Sequence, residues 1–431
     1  MDVSGKKIAV LGGTRIACEL VRAAKSLGMH TTVIDYNPPE DSPAKRIADD
    51  HALISVADTD EVALYIREHH IDGTITGYAD SLLGWYAEIC EKADIPCYGT
   101  RQQFDLFVDK RNWKALCEQF GVPTSKEYDA EVLLSDPSAA IYPLMVKPAD
   151  GSGSRGVSVV RQPSEYIDGY ESAKNLSRGG AVLVEDYLDG PEVTVFWLFI
   201  DGVYRVFLLG NRLVKHNQAG CLPLPAGYTF PASVLPRYLD EVAPRVENML
   251  ASAGVQNGMM FMQCIVRDGL PYVYDIGYRT TGSLEQHLTE AVAGYSPIDM
   301  MLCHAVTGSM TDDERIWERV GRGLYAPCFN ISCLMRPGTV DHFEGLESVL
   351  GDPHVVACVK AHVEGEFLPM SEKGRLSQIA LRILGTVDRA SELEPVMLRL
   401  QEQIKIISPE GESLMLQGLE RGDFQGGILG I

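Results

Sequence analysis

The run Lys147-Pro148-Ala149-Asp150-Gly151-Ser152-Gly153-Ser154-Arg155-Gly156-Val157 carries the sharpest chemical signal in the sequence. Glycines let successive backbone N–H groups turn toward one point, and such a concave row of donors holds an anion. The hydroxyls of Ser152 and Ser154 add donors, and Lys147 adds a point charge suited to phosphate. The segment joins one short β-run to another and does not read G-x-x-x-x-G-K-[ST], so it is not a P-loop. A Gly/Ser run is also what a surface turn looks like, so its company has to decide.

That company is ordered along the chain. Asp109-Lys110 precedes the loop, and Val184-Glu185-Asp186-Tyr187-Leu188-Asp189-Gly190-Pro191-Glu192 follows it. Later come Gln263 and then Asp275-Ile276-Gly277-Tyr278-Arg279. Gln263 and Asp275 lie on two β-runs joined by a turn at Asp268-Gly269, and counting in twos can place both on one sheet face. Oxygen ligands so placed suit Mg²⁺, which keeps waters and phosphate oxygens in its octahedron.

In this order and spacing the set resembles the ATP-grasp superfamily, and within it the L-amino acid ligases and the ATP-binding unit of carbamoyl-phosphate synthase large chains. The resemblance implies that Lys110 and Lys147 hold the phosphates of ATP, under a lid formed by Gly151, Ser152, Gly153, Ser154 and Gly156. Glu185, Asp186 and Leu188 would form the hinge strand that reads the adenine edge, Glu192 would take the ribose hydroxyls, and His216 would lie near the nucleotide. Gln263 and Asp275 would carry Mg²⁺, although Asp275 stands where Glu is usual and Gly277 where Asn is common. Arg279 would meet the transferred phosphate or a substrate carboxylate, with Thr280 to Ser283 and Glu285 to His287 lining the substrate end. The implied activity joins small-molecule carboxylate and amine substrates through an acyl phosphate. The rival expectations are a non-catalytic ATP-binding protein and, less so, carbamoyl-phosphate chemistry. A homodimer is expected from the resemblance alone.

These residues need elements to position them. Ile8 to Leu11, Thr31 to Ile34 and Gly73 to Thr76 read as strands, with helices to Leu27, from Thr59 to His69 and from Ser81 to Ala93. Strands separated by helices imply a parallel, Rossmann-like sheet over residues 1–99. Its turn Gly12-Gly13-Thr14-Arg15-Ile16-Ala17 lacks the G-x-G-x-x-G fingerprint, although Asp35 sits where a ribose-binding acid would, so a nicotinamide-dependent oxidoreductase has only this domain in its favour. Residues 100–309 then form the α+β ATP-grasp domain, with hairpins at Asp201-Gly202 and Asp268-Gly269. Residues 310–431 form a C-terminal α+β domain, in which Ser391 and Glu394 fit a capping box for a helix to Ile404.

Composition narrows the partners. The 431 residues carry 38 Lys+Arg against 59 Asp+Glu, a net charge of −21, which speaks against nucleic acid. The longest apolar run, Val193 to Ile200, fits a buried strand and is too short to span a bilayer. Ten scattered cysteines without C-x-x-C spacing give no zinc site, and with no export signal they suit a reducing cytoplasm.

Overall fold

The computed structural model describes residues 1–149, 156–177, 179–216, 218, 221, 223–427 and 429. The N-terminal strands β1 (Lys7–Leu11), β2 (His30–Ile34), β3 (Asp50–Ala52) and β4 (Gly73–Ile75) form a parallel sheet in the order β3-β2-β1-β4. Helices α1 (Cys18–Ser26) and α2 (Thr59–Glu68) form the crossovers, and α3 (Asp80–Ala93) follows β4. The glycine turn after β1 is filled from within: a Cβ on Gly13 would lie 1.7 Å from the Ser42 hydroxyl, and the Asp35 carboxylate accepts the Gly13 N–H at 3.0 Å. Asp35 is thus committed to its own turn.

Helices α4 (Arg101–Val108) and α5 (Lys110–Phe120) lead out of this sheet. Thr100 caps α4 with Gln103 in a reciprocal box, Asp109 caps α5, and Gly121 ends α5 at φ +67°, a conformation glycine adopts without strain. A small antiparallel sheet follows, with β5 (Glu127–Tyr128), β6 (Leu144–Pro148), β7 (Ser158–Val160) and β8 (Val182–Asp186) in the order β5-β8-β6-β7. Helix Tyr166–Leu176 packs Tyr166, Tyr170 and Ala173 against Leu144, Val146 and Val184.

The largest sheet has eight antiparallel strands. Five are β9 (Glu192–Ile200), β10 (Val203–Lys215), β11 (Leu224–Phe230), β12 (Gly258–Arg267) and β13 (Leu270–Gly277). They continue into β14 (Cys328–Leu334) and the strands Ile379–Thr386 and Val355–Lys360, in the order β13-β12-β9-β10-β11-β14 and outward. Residues on both sides of position 310 therefore share one sheet. The expected hairpins are present at Asp201-Gly202 and Asp268-Gly269, where both glycines have φ +76°.

Two local expectations are corrected. The last long helix is Leu393–Gln403, preceded by a 3₁₀ turn at Ala390–Glu392, and Ser391 does not cap it. Instead the Glu392 carboxylate accepts the Arg389 N–H at 3.1 Å and the Arg389 guanidinium at 2.9 Å. The β12–β13 hairpin is not regular either: Cys264 pairs with Val273 but Gln263 pairs with Asp275, so Tyr274 is the extra residue of a bulge. All ten thiols are free, and among the described residues no helix is long and apolar enough to cross a membrane.

Candidate functional site

Of the two expected phosphate-binding lysines, Lys147 meets the buried carboxylate Glu185 and Lys110 meets Asp275. On α5 the i,i+4 spacing puts Lys110 and Lys114 on one face. On β6, Met145 stands opposite Glu185 of β8, so Lys147 is its diagonal neighbour on the same face. The ammonium groups of Lys114 and Lys147 both bond to Glu185, and Ser125 donates to the same carboxylate at 2.6 Å. Lys114 also donates to Ser125 at 3.0 Å.

All three charged groups are buried, at 1% exposure for Lys114, 7% for Lys147 and 3% for Glu185. Burial alone would raise the Glu185 pKa, but Lys147 and Lys114 outweigh it and hold the carboxyl at about 2. Burial pushes the Lys147 ammonium down, and the nearby Lys110 and Lys114 charges add to that push against Glu185. Three lysines against two carboxylates, Glu185 and Asp275, leave a positive surplus suited to an anion.

Lys110 reaches across to β13, where it donates to Asp275 at 2.7 Å. Burial works against its charge, yet the Asp275 carboxylate wins and raises its pKa. Asp275 faces Gln263 only because of the bulge; in an unbroken hairpin Gln263 would face Tyr274. The donor set is all oxygen with a single carboxylate, and among the described residues no group of three or more His, Cys, Asp or Glu could hold a metal unaided. Such a pair fits Mg²⁺ with phosphate oxygens and waters filling the octahedron.

A polar row continues across the same sheet face. Gln263 stands opposite Thr194 of β9, and Glu192, two residues earlier, stands opposite Arg212 of β10. Arg212 faces Tyr228 of β11, Tyr228 faces Asn330 of β14, and Ser332 faces Arg382 of strand Ile379–Thr386. Glu192 bonds to Arg212 and accepts the Tyr274 hydroxyl at 2.8 Å. The Nε of Arg212 and the hydroxyl of Thr194 are buried without a partner among the described residues.

Arg279 is anchored within the protein. Its fork grips Asp80 at the start of α3 at 2.6 and 2.9 Å, and its plane lies 5.0 Å over the Phe261 ring. This bidentate pair ties the parallel sheet's last helix to β13 and keeps the guanidinium charged against burial.

The remaining expected residues are placed as follows. The N–H groups of Asp186 and Tyr187 donate to Lys126 and Pro143 carbonyls at 2.9 and 3.1 Å, so the buried Leu188 carries the next N–H along the hinge. The Asp186 carboxylate accepts from the Tyr128 hydroxyl at 2.8 Å. His216 is exposed just beyond β10, apart from the buried cluster. Gly156 has φ +72°, while Gly151, Ser152, Gly153 and Ser154 lie outside the described residues. Sequence reasoning missed Lys114, Ser125, Asp80, Arg212 and Tyr274. Only Lys114 had a local signal, its four-residue spacing from Lys110.

A parallel sheet, a small antiparallel sheet with a cationic cluster and a large antiparallel sheet with a polar face define a nucleotide-dependent ligase architecture. A family model described as the ATP-grasp domain matches residues 140–274. Formate-dependent phosphoribosylglycinamide formyltransferase of Francisella tularensis subsp. tularensis is 30% identical over 288 residues, 61% of this chain and 68% of that one. The 2-oxoglutarate carboxylase small subunit of Hydrogenobacter thermophilus is 29% identical over 239 residues, and the chain spans about half its length, 49%. The biotin carboxylase domain dimer of that carboxylase, solved with MgADP, ADP and bicarbonate, has a TM-score of 0.74 at 19% identity, covering 93% of this chain and 90% of that one. The L-amino acid ligase of Bacillus licheniformis also gives 0.74, at 21% identity, covering 94% and 99%. The chain belongs to the ATP-grasp superfamily of ATP-dependent carboxylate–amine ligases.

Proposed function

We propose that this chain is an ATP-dependent ligase that joins a carboxylate to an amine through an acyl phosphate, releasing ADP and phosphate. The observation that carries the reading is the convergence of Lys147 and Lys114 on Glu185, with Lys110 bridging to the Gln263–Asp275 pair. Phosphoryl transfer needs positioning and charge neutralisation more than covalent help. Lys147 and Lys110 turn from their carboxylates to the phosphates of ATP, with Gly151, Ser152, Gly153, Ser154 and Gly156 donating around them. Glu185, Asp186 and Leu188 border the adenine, Glu192 takes the ribose hydroxyls, and His216 lies beside the nucleotide. Gln263 and Asp275 would hold Mg²⁺, which supplies charge neutralisation to the phosphates when bound.

The substrate carboxylate attacks the γ-phosphorus and ADP leaves. The amine nitrogen then attacks the carbonyl carbon, phosphate departs, and the nitrogen loses a proton. Arg279 borders the reacting carboxylate while anchored on Asp80. Residues 1–99, 100–309 and 310–431 act as three domains around this single centre, in a homodimer working in a reducing cytoplasm. Light scattering at the monomer mass would refute the dimer.

A second reading has its own support. One carboxylate stands at the metal position, Gly277 occupies a site where Asn is common, and Asp275 is already bonded to Lys110. A non-catalytic ATP-binding protein would look like this. Screening pairs of amino acids and small carboxylic acids for ADP release separates the two. ADP release dependent on one pair supports the ligase, whereas ATP binding with no release on any pair favours the binder.

A further inference from the structure

Gln263 differs from a carboxylate in one way that matters to a cation: its side chain ends in one acceptor and one donor group. Its Oε1 can face a metal, and its Nε2 amino group cannot. The last torsion of a glutamine is broad and roughly two-fold, so the side chain alone does not choose which end points where. A neighbouring hydrogen bond has to choose, as it does for the second nitrogen of a metal-bound histidine.

Two side chains flank Gln263 across the sheet. Asp275 stands opposite it on β13, and Thr194 stands opposite it on β9. Directly opposite side chains on one face have Cβ atoms about 4.5–5.5 Å apart, within reach of a glutamine amide. An amino group turned toward the Asp275 carboxylate would put a donor where a cation needs a lone pair. Turned toward Thr194, the same group leaves Oε1 beside Asp275.

Thr194 is 2% exposed, and its hydroxyl has no partner among the described residues. Its far side is apolar. There β10 presents Gly210, where a Cβ would lie 2.4 Å from the Phe230 ring, and Phe196 packs on that ring with centroids 6.1 Å apart. Glu192, two residues back on β9, accepts from Arg212 and from the Tyr274 hydroxyl. The Arg212 Nε is a further unpartnered donor, but a hydroxyl oxygen has two lone pairs and can serve both it and Gln263. Gln263 is the polar side chain directly across from the open hydroxyl.

We infer that Thr194 is a positioning residue for the Gln263–Asp275 pair: its hydroxyl oxygen accepts the Gln263 Nε2–H and so turns Oε1 toward the cation. The inference rests on the reading above that this pair holds Mg²⁺. In the empty protein the hydroxyl waits without a partner. A cation that draws Oε1 to itself swings Nε2 toward Thr194, so ion and hydrogen bond favour the same amide orientation. A glutamate at this position would need no such help, because both its oxygens are acceptors. The role of Thr194 is therefore tied to the amide of Gln263.

The test is calorimetric titration of the full chain with ADP, in the presence and absence of Mg²⁺. In the parent, Mg²⁺ should tighten ADP binding. Thr194→Val should lose about tenfold of that gain, the scale set by partners that orient a metal ligand, while metal-free ADP binding is unchanged. Its melting temperature should equal or exceed the parent's, because a methyl replaces an unpartnered hydroxyl. Thr194→Ser should keep the gain. In a Gln263→Glu background, Thr194→Val should cost nothing. A gain that survives Thr194→Val with Gln263 in place, or a loss just as large in the Gln263→Glu background, overturns the orienting role and leaves the metal reading standing. A melting temperature of Thr194→Val well below the parent's also overturns it, by showing the hydroxyl already bonded in the empty protein. No gain from Mg²⁺ in the parent overturns the metal reading, and this inference with it.

Discussion

The cluster around Glu185 and the surroundings of Glu285 are both buried, both centred on one glutamate, and opposite in how their charges are met. Glu185 accepts from two lysines and a serine, and its carboxyl is driven down to about 2. Glu285 has one open oxygen and faces an arginine that it does not reach, so burial drives its carboxyl up. The difference separates two jobs. A saturated cluster holds its shape before any ligand arrives and hands over a cation when an anion comes. A buried acid with an open oxygen instead carries a desolvation cost in the empty protein.

Substitutions can break that contrast at several strengths. The largest effect is expected at Lys147→Ala, which should abolish ADP release while Lys114 still compensates Glu185. Full activity in that variant would sink the ligase proposal. Next, Lys114→Met removes one partner of a fully buried ion pair without touching the phosphate side. It should cost about 3 kcal/mol in urea unfolding, a scale set by breaking buried pairs. A loss no larger than that of a surface pair would mean the cluster is not held together as described.

Acid should act on the paired region in a stated direction. The folded-state pKa of Glu185 is depressed to about 2 from an ordinary 4.5, so its contribution is complete above the unfolded value. It is lost as pH falls from 4.5 through 2, and amounts to about 3 kcal/mol at 1.36 kcal/mol per unit. Comparing the pH dependence of unfolding in the parent and in Glu185→Gln checks this, because the variant should lack that acid limb.

The smallest expected effect has the opposite sign. Thr280→Val exchanges an unpartnered buried hydroxyl for a methyl of similar shape, and should be neutral or stabilising by up to about 1 kcal/mol. A clear destabilisation, read as a lower melting temperature, would show that the hydroxyl has a partner in the empty protein and would weaken the contrast between the two regions.

Much of the site could be read along the chain because its residues sit on local patterns. Lys147 enters the glycine loop from a strand, Asp109 caps the helix that presents Lys110, and Glu185 stands next to last in a five-residue strand. Three strands of the parallel sheet were equally legible, since helix and strand periods differ along a single segment, but its short edge strand Asp50–Ala52 was not. The partners of these residues were not legible. Asp80 grips Arg279 from 199 positions away, and Arg382 enters the site only because eight strands from both sides of position 310 join in one sheet.

The metal pair shows where the boundary falls. Sequence alone supplied the residue types, the hairpin turn and the oxygen chemistry of Gln263 and Asp275. Counting in twos from that turn does not itself bring the pair together: strict alternation sets Gln263 opposite Tyr274 and sends Asp275 to the other face. A single-residue bulge at Tyr274 reverses that, bringing Asp275 to Gln263 and freeing the Tyr274 hydroxyl to bond Glu192. Alternation is a local property of the backbone and is written in the sequence. A bulge, like the spacing between Glu285 and Arg382, is chosen by what neighbouring strands and helices allow, and only the assembled tertiary structure decides it.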